Sequence, residues 1–215
     1  MGVLSSLLTS SIGRKILVAL AGLLLCGFLI AHLGGNLLLI YGEGPFNRYA
    51  QGLEKNPLLP LAEVGLAGLF LAHIAVSLKL RHENRQARPA SYAMQRSKGG
   101  RSWGSRTMLL SGLLLLSFLV VHVWHFRVQE HADGLYRAVM NAFQSKYYVL
   151  FYVAAMAALG LHLSHGFQSA FRTFGLSHPR LLPMIRKTGF AFSAAITVGF
   201  ALLPLWACFW AKGPR

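Results

Sequence analysis

Five long apolar stretches, each closed by basic or turn-forming residues, set the pattern of this chain. The first runs from Ile16 to Gly42, 27 residues without a Lys, Arg, Asp or Glu. About 20 apolar residues wound as a helix cross the hydrocarbon core of a bilayer, so such a run predicts a membrane span. The same reasoning predicts helices over about 14–40, 57–80, 106–127, 146–172 and 187–210. The expected fold is all-α and integral to the membrane: five transmembrane helices in a single membrane domain, 1–215.

Between the runs the polar segments read as connections. Residues 41–58 hold Gly, Pro, Asn and mixed charge and are expected to form a loop. Pro57 and Pro60 suit the first turn of the second helix. Gly65, Gly68 and Ala72 give that helix a small-residue face suited to close packing. Residues 81–105 form the long basic polar segment, and residues 134–144 are expected to form a short surface helix. Pro204 is a candidate kink in the last helix.

Composition narrows the class further. With 54% hydrophobic and 13% charged residues, little sequence remains for a soluble domain. The formal charge of +15 resembles that of a nucleic-acid binder. Its basic residues, however, lie between apolar runs, so membrane topology accounts for them and no nucleic-acid partner is expected. With the N-terminus in the cytoplasm, inner segments hold 14 of the 21 Lys and Arg and outer segments hold 7. That bias predicts a cytoplasmic N-terminus and an outer C-terminus. Cys26 and Cys208 belong to no CxxC or CxxCH pattern, which argues against an iron–sulfur site or covalently attached haem.

One residue type breaks the apolar pattern. His32, His73, His122 and His162 each sit inside a different run. A single intramembrane histidine is readily explained by a hydrogen bond to a neighbouring helix. Four, one on each of four helices, point instead to metal ligation, and haem iron takes two axial ligands. Helix rise places them at two levels. Counting from Lys15 and Arg106, His32 and His122 lie roughly 25 and 24 Å from the inner face. Counting from Lys79 and Arg172, His73 and His162 lie roughly 9 and 15 Å from it. Each level offers two histidines from different helices. His125 and His165 follow His122 and His162 by three residues, and spacing leaves both as alternatives. His82, His131 and His178 are expected in solvated loops. Asn36, Ser77 and Ser164 are expected to hydrogen-bond between helices.

Several stretches together resemble a known family. They are SSIGRKILVALAG (10–22), HLGGNL (32–37) with FNRYA (46–50), the His73 helix, HVWHF (122–126) and LHLSHGFQSAFRTFG (161–175). They resemble the five-helix, two-haem cytochrome b membrane anchor of succinate:quinone oxidoreductases, which comprise succinate dehydrogenases and fumarate reductases. The resemblance implies two haem b groups, a proximal one on His73 and His162 and a distal one on His32 and His122. It favours His122 over His125. It also implies a flavoprotein and an iron–sulfur subunit docked on the cytoplasmic side, membrane lipid around the helices, and a quinone, menaquinone by the usual habit of two-haem relatives. The chain would then pass electrons in a bacterial cytoplasmic membrane, with the dicarboxylate chemistry lying in the flavoprotein. Some relatives place a carboxylate beside the helix-four ligand; here Gly160 and Leu161 stand there. Glu63, at the outer start of the second helix, is the candidate for proton exchange with quinone, against the plainer role of a helix-dipole partner. Two other readings remain: the cytochrome b anchor of a formate dehydrogenase or hydrogenase, and a proton or non-haem metal transporter, for which broken helices would speak.

Overall fold

The structure, a computed structural model, describes residues 10–87 and 103–211. These are all-helical: α1 Ser11–Asn36, α2 Glu43–Glu54, α3 Leu59–Gln86, α4 Trp103–Val123, α5 Leu135–Ala142, α6 Lys146–Thr173 and α7 Leu182–Phe209. A 3-10 turn, Leu37–Tyr41, extends α1, and a π-turn, Trp124–Val128, extends α4. Five of the helices are long and apolar enough to cross a membrane. The chain is thus a helical bundle of multi-pass membrane type.

Local signals explain the helix ends. The Ser10 hydroxyl accepts from the Gly13 amide at 2.9 Å, and Ser145 accepts from Tyr148 at 3.4 Å, capping α1 and α6. Pro60 and Pro183 stand in the first turns of α3 and α7, where a missing amide costs nothing. α7 therefore begins at Leu182, five residues before the expected start. α3 runs six residues past the expected Leu80 because RHENRQ contains no breaker and Glu83 meets Arg14 of α1 at 2.6 Å. α7 stays helical through the buried Pro204.

Two expectations need correction. Residues 41–58 are not one loop, since α2 occupies Glu43–Glu54. Gly42 at φ 96° turns the chain, Pro45 falls harmlessly in the first helical turn, and Phe46 is buried on the inward face. Among the described residues, nothing packs on the small-residue face of α3. Gly65 and Gly68 have open space where a side chain would stand, and Ala72 is exposed. Phe70 and His73, on another side of the helix, are the residues that lie on α1, against Phe28 and Gly22.

α6 is the central helix. It packs on α7, α4 and α1, whereas the close packing of α3 is with α1. One core joins Cys26, Ala155, Met156, Leu159, Leu163 and Ile196 across α1, α6 and α7. A second, with Phe46, Met140, Phe143, Tyr152 and Ala207, lies under α2 and α5 at one end of the bundle. α3 has no buried residue and is tied by ion pairs near both ends, Glu83 to Arg14 and Glu63 to Arg127. Those two glutamates are 20 residues apart, so the ties stand about 30 Å apart along the helix, about one hydrocarbon thickness.

Candidate functional site

The four intramembrane histidines meet in two pairs across this bundle. His32 of α1 faces His122 of α4, with ring centroids 5.8 Å apart and planes at 88°. His73 of α3 faces His162 of α6 at 6.3 Å and 64°. Neither pair comes from helices adjacent in the chain. Helix geometry separates the two levels. Gly22, beside His73, precedes His32 by ten residues, and Gly112, beside His162, precedes His122 by ten. At the α-helical rise, the pairs are therefore about 15 Å apart along the bundle.

The surroundings differ at the two levels. At the His32/His122 level each ring stacks on the phenylalanine four residues before it: Phe28 on His32 at 5.1 Å and Phe118 on His122 at 5.3 Å. Phe200 of α7 adds a third aromatic wall, 5.6 Å from His32. His122 Nδ1 lies 3.0 Å from the Tyr152 hydroxyl. Asn36 donates to its own helix at the His32 carbonyl, 2.8 Å, and lies 3.5 Å from His32 Nε2.

At the other level the walls are glycines. A Cβ on Gly22 would stand 3.3 Å from His73 Cε1, and one on Gly112 would stand 3.6 Å from His162 Cε1. Each ring thus lies against bare backbone of a neighbouring helix. His162 Nδ1 is 3.3 Å from the Ser111 hydroxyl, which donates to the Met108 carbonyl at 3.2 Å. His73 Nδ1 is buried without a hydrogen-bond partner of good geometry, the Val18 backbone being the nearby group that could accept from it.

Each pair offers two imidazoles that would hold a metal whose remaining ligands come from elsewhere. An imidazole–metal bond is about 2 Å and a ring nitrogen sits about 1.2 Å from its centroid, so two axial rings have centroids about 6.3 Å apart. His73 and His162, at 6.3 Å, have that spacing, and His32 and His122, at 5.8 Å, stand closer than it. Among the described residues, no three His, Cys, Asp or Glu side chains converge as a protein-only metal cage requires. The hydrogen bonds on the Nδ1 atoms of His122 and His162 leave Nε2 of each ring for a metal.

The alternatives left by spacing are resolved as geometry. His122, not His125, faces His32. The winding changes from α to π at Trp124, between the two histidines, and His125 stacks instead on Phe126 at 4.5 Å and bonds the Tyr148 hydroxyl at 2.8 Å. His162, not His165, faces His73. Other expectations fail. His82 is exposed, as expected, but stands on α3 rather than in a loop, its ring 3.0 Å from the Gln86 amide. His131 is half-buried and its ring Nε2 meets the His125 carbonyl at 3.0 Å, so it is not simply solvated. Asn36 and Ser164 bond their own helices, at the His32 and Leu161 carbonyls, rather than bridging helices. His178 is exposed, as expected.

Glu63 pairs with Arg127 through both carboxylate oxygens, at 2.5 and 3.1 Å, joining α3 to the π-turn after α4. It is half-exposed at the end of the bundle nearer His32 and His122. The HLGGN and FNRYA stretches touch one another. Tyr49 packs on Gly35 so closely that a Cβ there would stand 2.6 Å from the ring. Asn47 accepts from the Tyr136 amide at 3.0 Å, fastening α2 to α5.

Sequence reasoning assigned no role at the site to Phe28, Phe118, Tyr148, Tyr152, Ser111, Gly22 or Gly112. One signal was readable: FLIAH (28–32) and FLVVH (118–122) repeat a phenylalanine four residues before the histidine. The serine and glycine neighbours carried no such mark, because what selects them is the partner helix. Compared with protein families, with curated proteins and with solved structures, the chain matches none.

Proposed function

We propose that this protein is the cytochrome b membrane anchor of a succinate:quinone oxidoreductase, holding two b haems and passing electrons between an iron–sulfur subunit and membrane quinone. The observation that carries the reading is the double pairing: two histidines from different helices, facing each other, at each of two levels. His73 and His162 would hold the haem nearer the basic end, and His32 and His122 the other. When bound there, a b haem supplies one-electron redox chemistry.

This chain's residues do the rest. They orient the imidazoles through Tyr152 and Ser111, exclude water with the Phe28, Phe118 and Phe200 walls, and leave backbone room at Gly22 and Gly112. The Lys/Arg bias puts the basic end in the cytoplasm, where it suits docking of the flavoprotein and iron–sulfur partners. Quinone, menaquinone by the resemblance, would react near the outer pair. Glu63 there is engaged by Arg127, so proton exchange through it requires that ion pair to open. The formate dehydrogenase or hydrogenase anchor shares the haem histidines but not the HLGGNL and LHLSHG stretches. A transporter of metal ions is disfavoured because, among the described residues, each level offers two ligands rather than three or four.

Purification in mild detergent tests the reading. It predicts a b-type reduced-minus-oxidised spectrum, about two haems per chain, and co-purifying flavin and iron–sulfur subunits. A colourless protein would remove it. A two-haem protein that brings down a molybdenum- or nickel-containing partner would select the second anchor.

A further inference from the structure

Beyond the four histidines, a hydrogen-bonded side-chain series leads from His122 toward the end of the bundle. His122 Nδ1 is 3.0 Å from the Tyr152 hydroxyl, which is 3.3 Å from the Tyr148 hydroxyl, which is 2.8 Å from His125 Nδ1. The His125 carbonyl in turn meets the His131 ring at 3.0 Å. Tyr152 is buried, with Phe118, Phe143 and Phe151 at 4.9, 5.0 and 5.9 Å around it. Buried there, the Tyr152 hydroxyl must find its partners within the series, because an unmet donor is costly, while Tyr148 and His125 are half-buried.

We propose that Tyr152 is the positioning residue of the His32/His122 site, and that with Tyr148 it forms a relay of fixed polarity joining His122 to His125. The proposal rests on the reading of the histidine pairs as haem ligands. Its polarity follows from donor counting. A histidine that commits Nε2 to a metal carries its proton on Nδ1 and donates from there. Tyr152 then accepts, and its own O–H goes to Tyr148. Tyr148 donates to His125 Nδ1, which must be the unprotonated nitrogen, and His125 keeps its proton on Nε2. Every hydroxyl in the series gives once and accepts once.

The other level is built differently. Ser111 accepts from His162 Nδ1 at 3.3 Å and passes its proton to the Met108 carbonyl at 3.2 Å, where the series ends. An acceptor on Nδ1 raises the basicity of the ligating nitrogen and so favours the oxidised metal. Removing Tyr152's oxygen is therefore expected to favour reduction at one site and leave the other untouched.

Redox titration of the two haems by visible spectroscopy tests this. In Tyr152→Phe, both haems stay bound. The reduced-to-oxidised ratio of the haem that depends on His32 and His122 rises about fivefold to tenfold at fixed poise, an upward shift of about 40–60 mV for a one-electron couple. The second haem does not move. Tyr148→Phe shifts the same haem the same way by less, and Ser111→Ala shifts only the other. A second readout is the low-spin ferric electron paramagnetic resonance signal, whose anisotropy follows the angle between the imidazole planes. It changes at one haem only, because Tyr152 holds the His122 side of an 88° pair. Unmoved potentials in Tyr152→Phe, or equal shifts at both haems, would overturn the proposal while leaving the haem reading intact. If Tyr152→Phe lost haem altogether, Tyr148→Phe decides, since it does not touch His122: a shift at one haem upholds the relay and none overturns it. A native protein without haem overturns both.

Discussion

Gly160→Ala is the sharpest probe of the packing that presents His162. Helices α6 and α7 approach so closely that a Cβ on Gly160 would stand 2.6 Å from Thr197 Oγ1 and 3.3 Å from Thr197 Cγ2. Ordinary contacts start near about 3.5 Å, so the helices must open by up to about 0.9 Å. Thr197 is β-branched and on a helix, so it has little freedom to swing aside. The opening also stretches the hydrogen bond from Ser193 Oγ to the Gly160 carbonyl, 2.7 Å, to about 3.6 Å, past the useful range. Overpacking costs about 1–3 kcal/mol and an interhelical hydrogen bond in a membrane about 0.6. The Gly-to-Ala gain in helix propensity returns about 1 kcal/mol. The net expectation is a loss of about 0.6–2.6 kcal/mol, read by reversible SDS unfolding in mixed micelles with helix signal as the probe. Thr197 Oγ1 is buried with no hydrogen-bond partner, so Thr197→Ala alone should cost little and should rescue most of the loss in the double variant. A Gly160→Ala protein as stable as the parent, or a double variant no better than the single, refutes the close-approach argument.

The remaining predictions concern orientation and the quinone side. A reporter joined after Ser97, outside the described residues, is expected in the cytoplasm, and one joined after Asp133 outside; the reverse at both positions would invert the assignment of the two levels. Succinate-driven menaquinone reduction in sealed membranes should fall when the membrane potential is collapsed, because two electrons crossing toward the positive side gain at most about 4.6 kcal/mol per 100 mV. Activity with a soluble acceptor should not fall, and an unchanged menaquinone rate argues against an outer quinone site. Glu63→Gln should slow quinone turnover with both haems retained; normal turnover would leave Glu63 the ion-pair partner of Arg127 and nothing more.

The long-range order of this molecule was legible in its apolar runs, and the pairing of His32 with His122 and His73 with His162 followed from counting residues between basic flanks. That worked because a membrane fixes where a helix starts and ends, so residue number becomes depth. The interfacial helix α2 was not legible in the same way. Phe46, Tyr49 and Leu53 recur at helical spacing, but Gly42, Gly44 and Pro45 read as loop until Pro45 is seen in the first turn. The face of α3 was misjudged because small residues signal close packing only when another helix comes to them, and Gly65 and Gly68 meet none among the described residues. Tyr152 and Ser111 escaped notice because a hydroxyl beside a histidine is a property of two helices together. His125 was left as an alternative because spacing assumes uninterrupted α-winding, which ends at Val123.

Haem content after substitution of the histidines in pairs tests the account most directly. His32→Ala with His122→Ala, and His73→Ala with His162→Ala, should each leave one b haem per chain, spectrally distinct between the two variants. Each single substitution should remove the same haem as its partner's substitution does. Should His73→Ala remove the haem that depends on His32, or should either double variant keep both haems, the two-level arrangement of ligands would be contradicted.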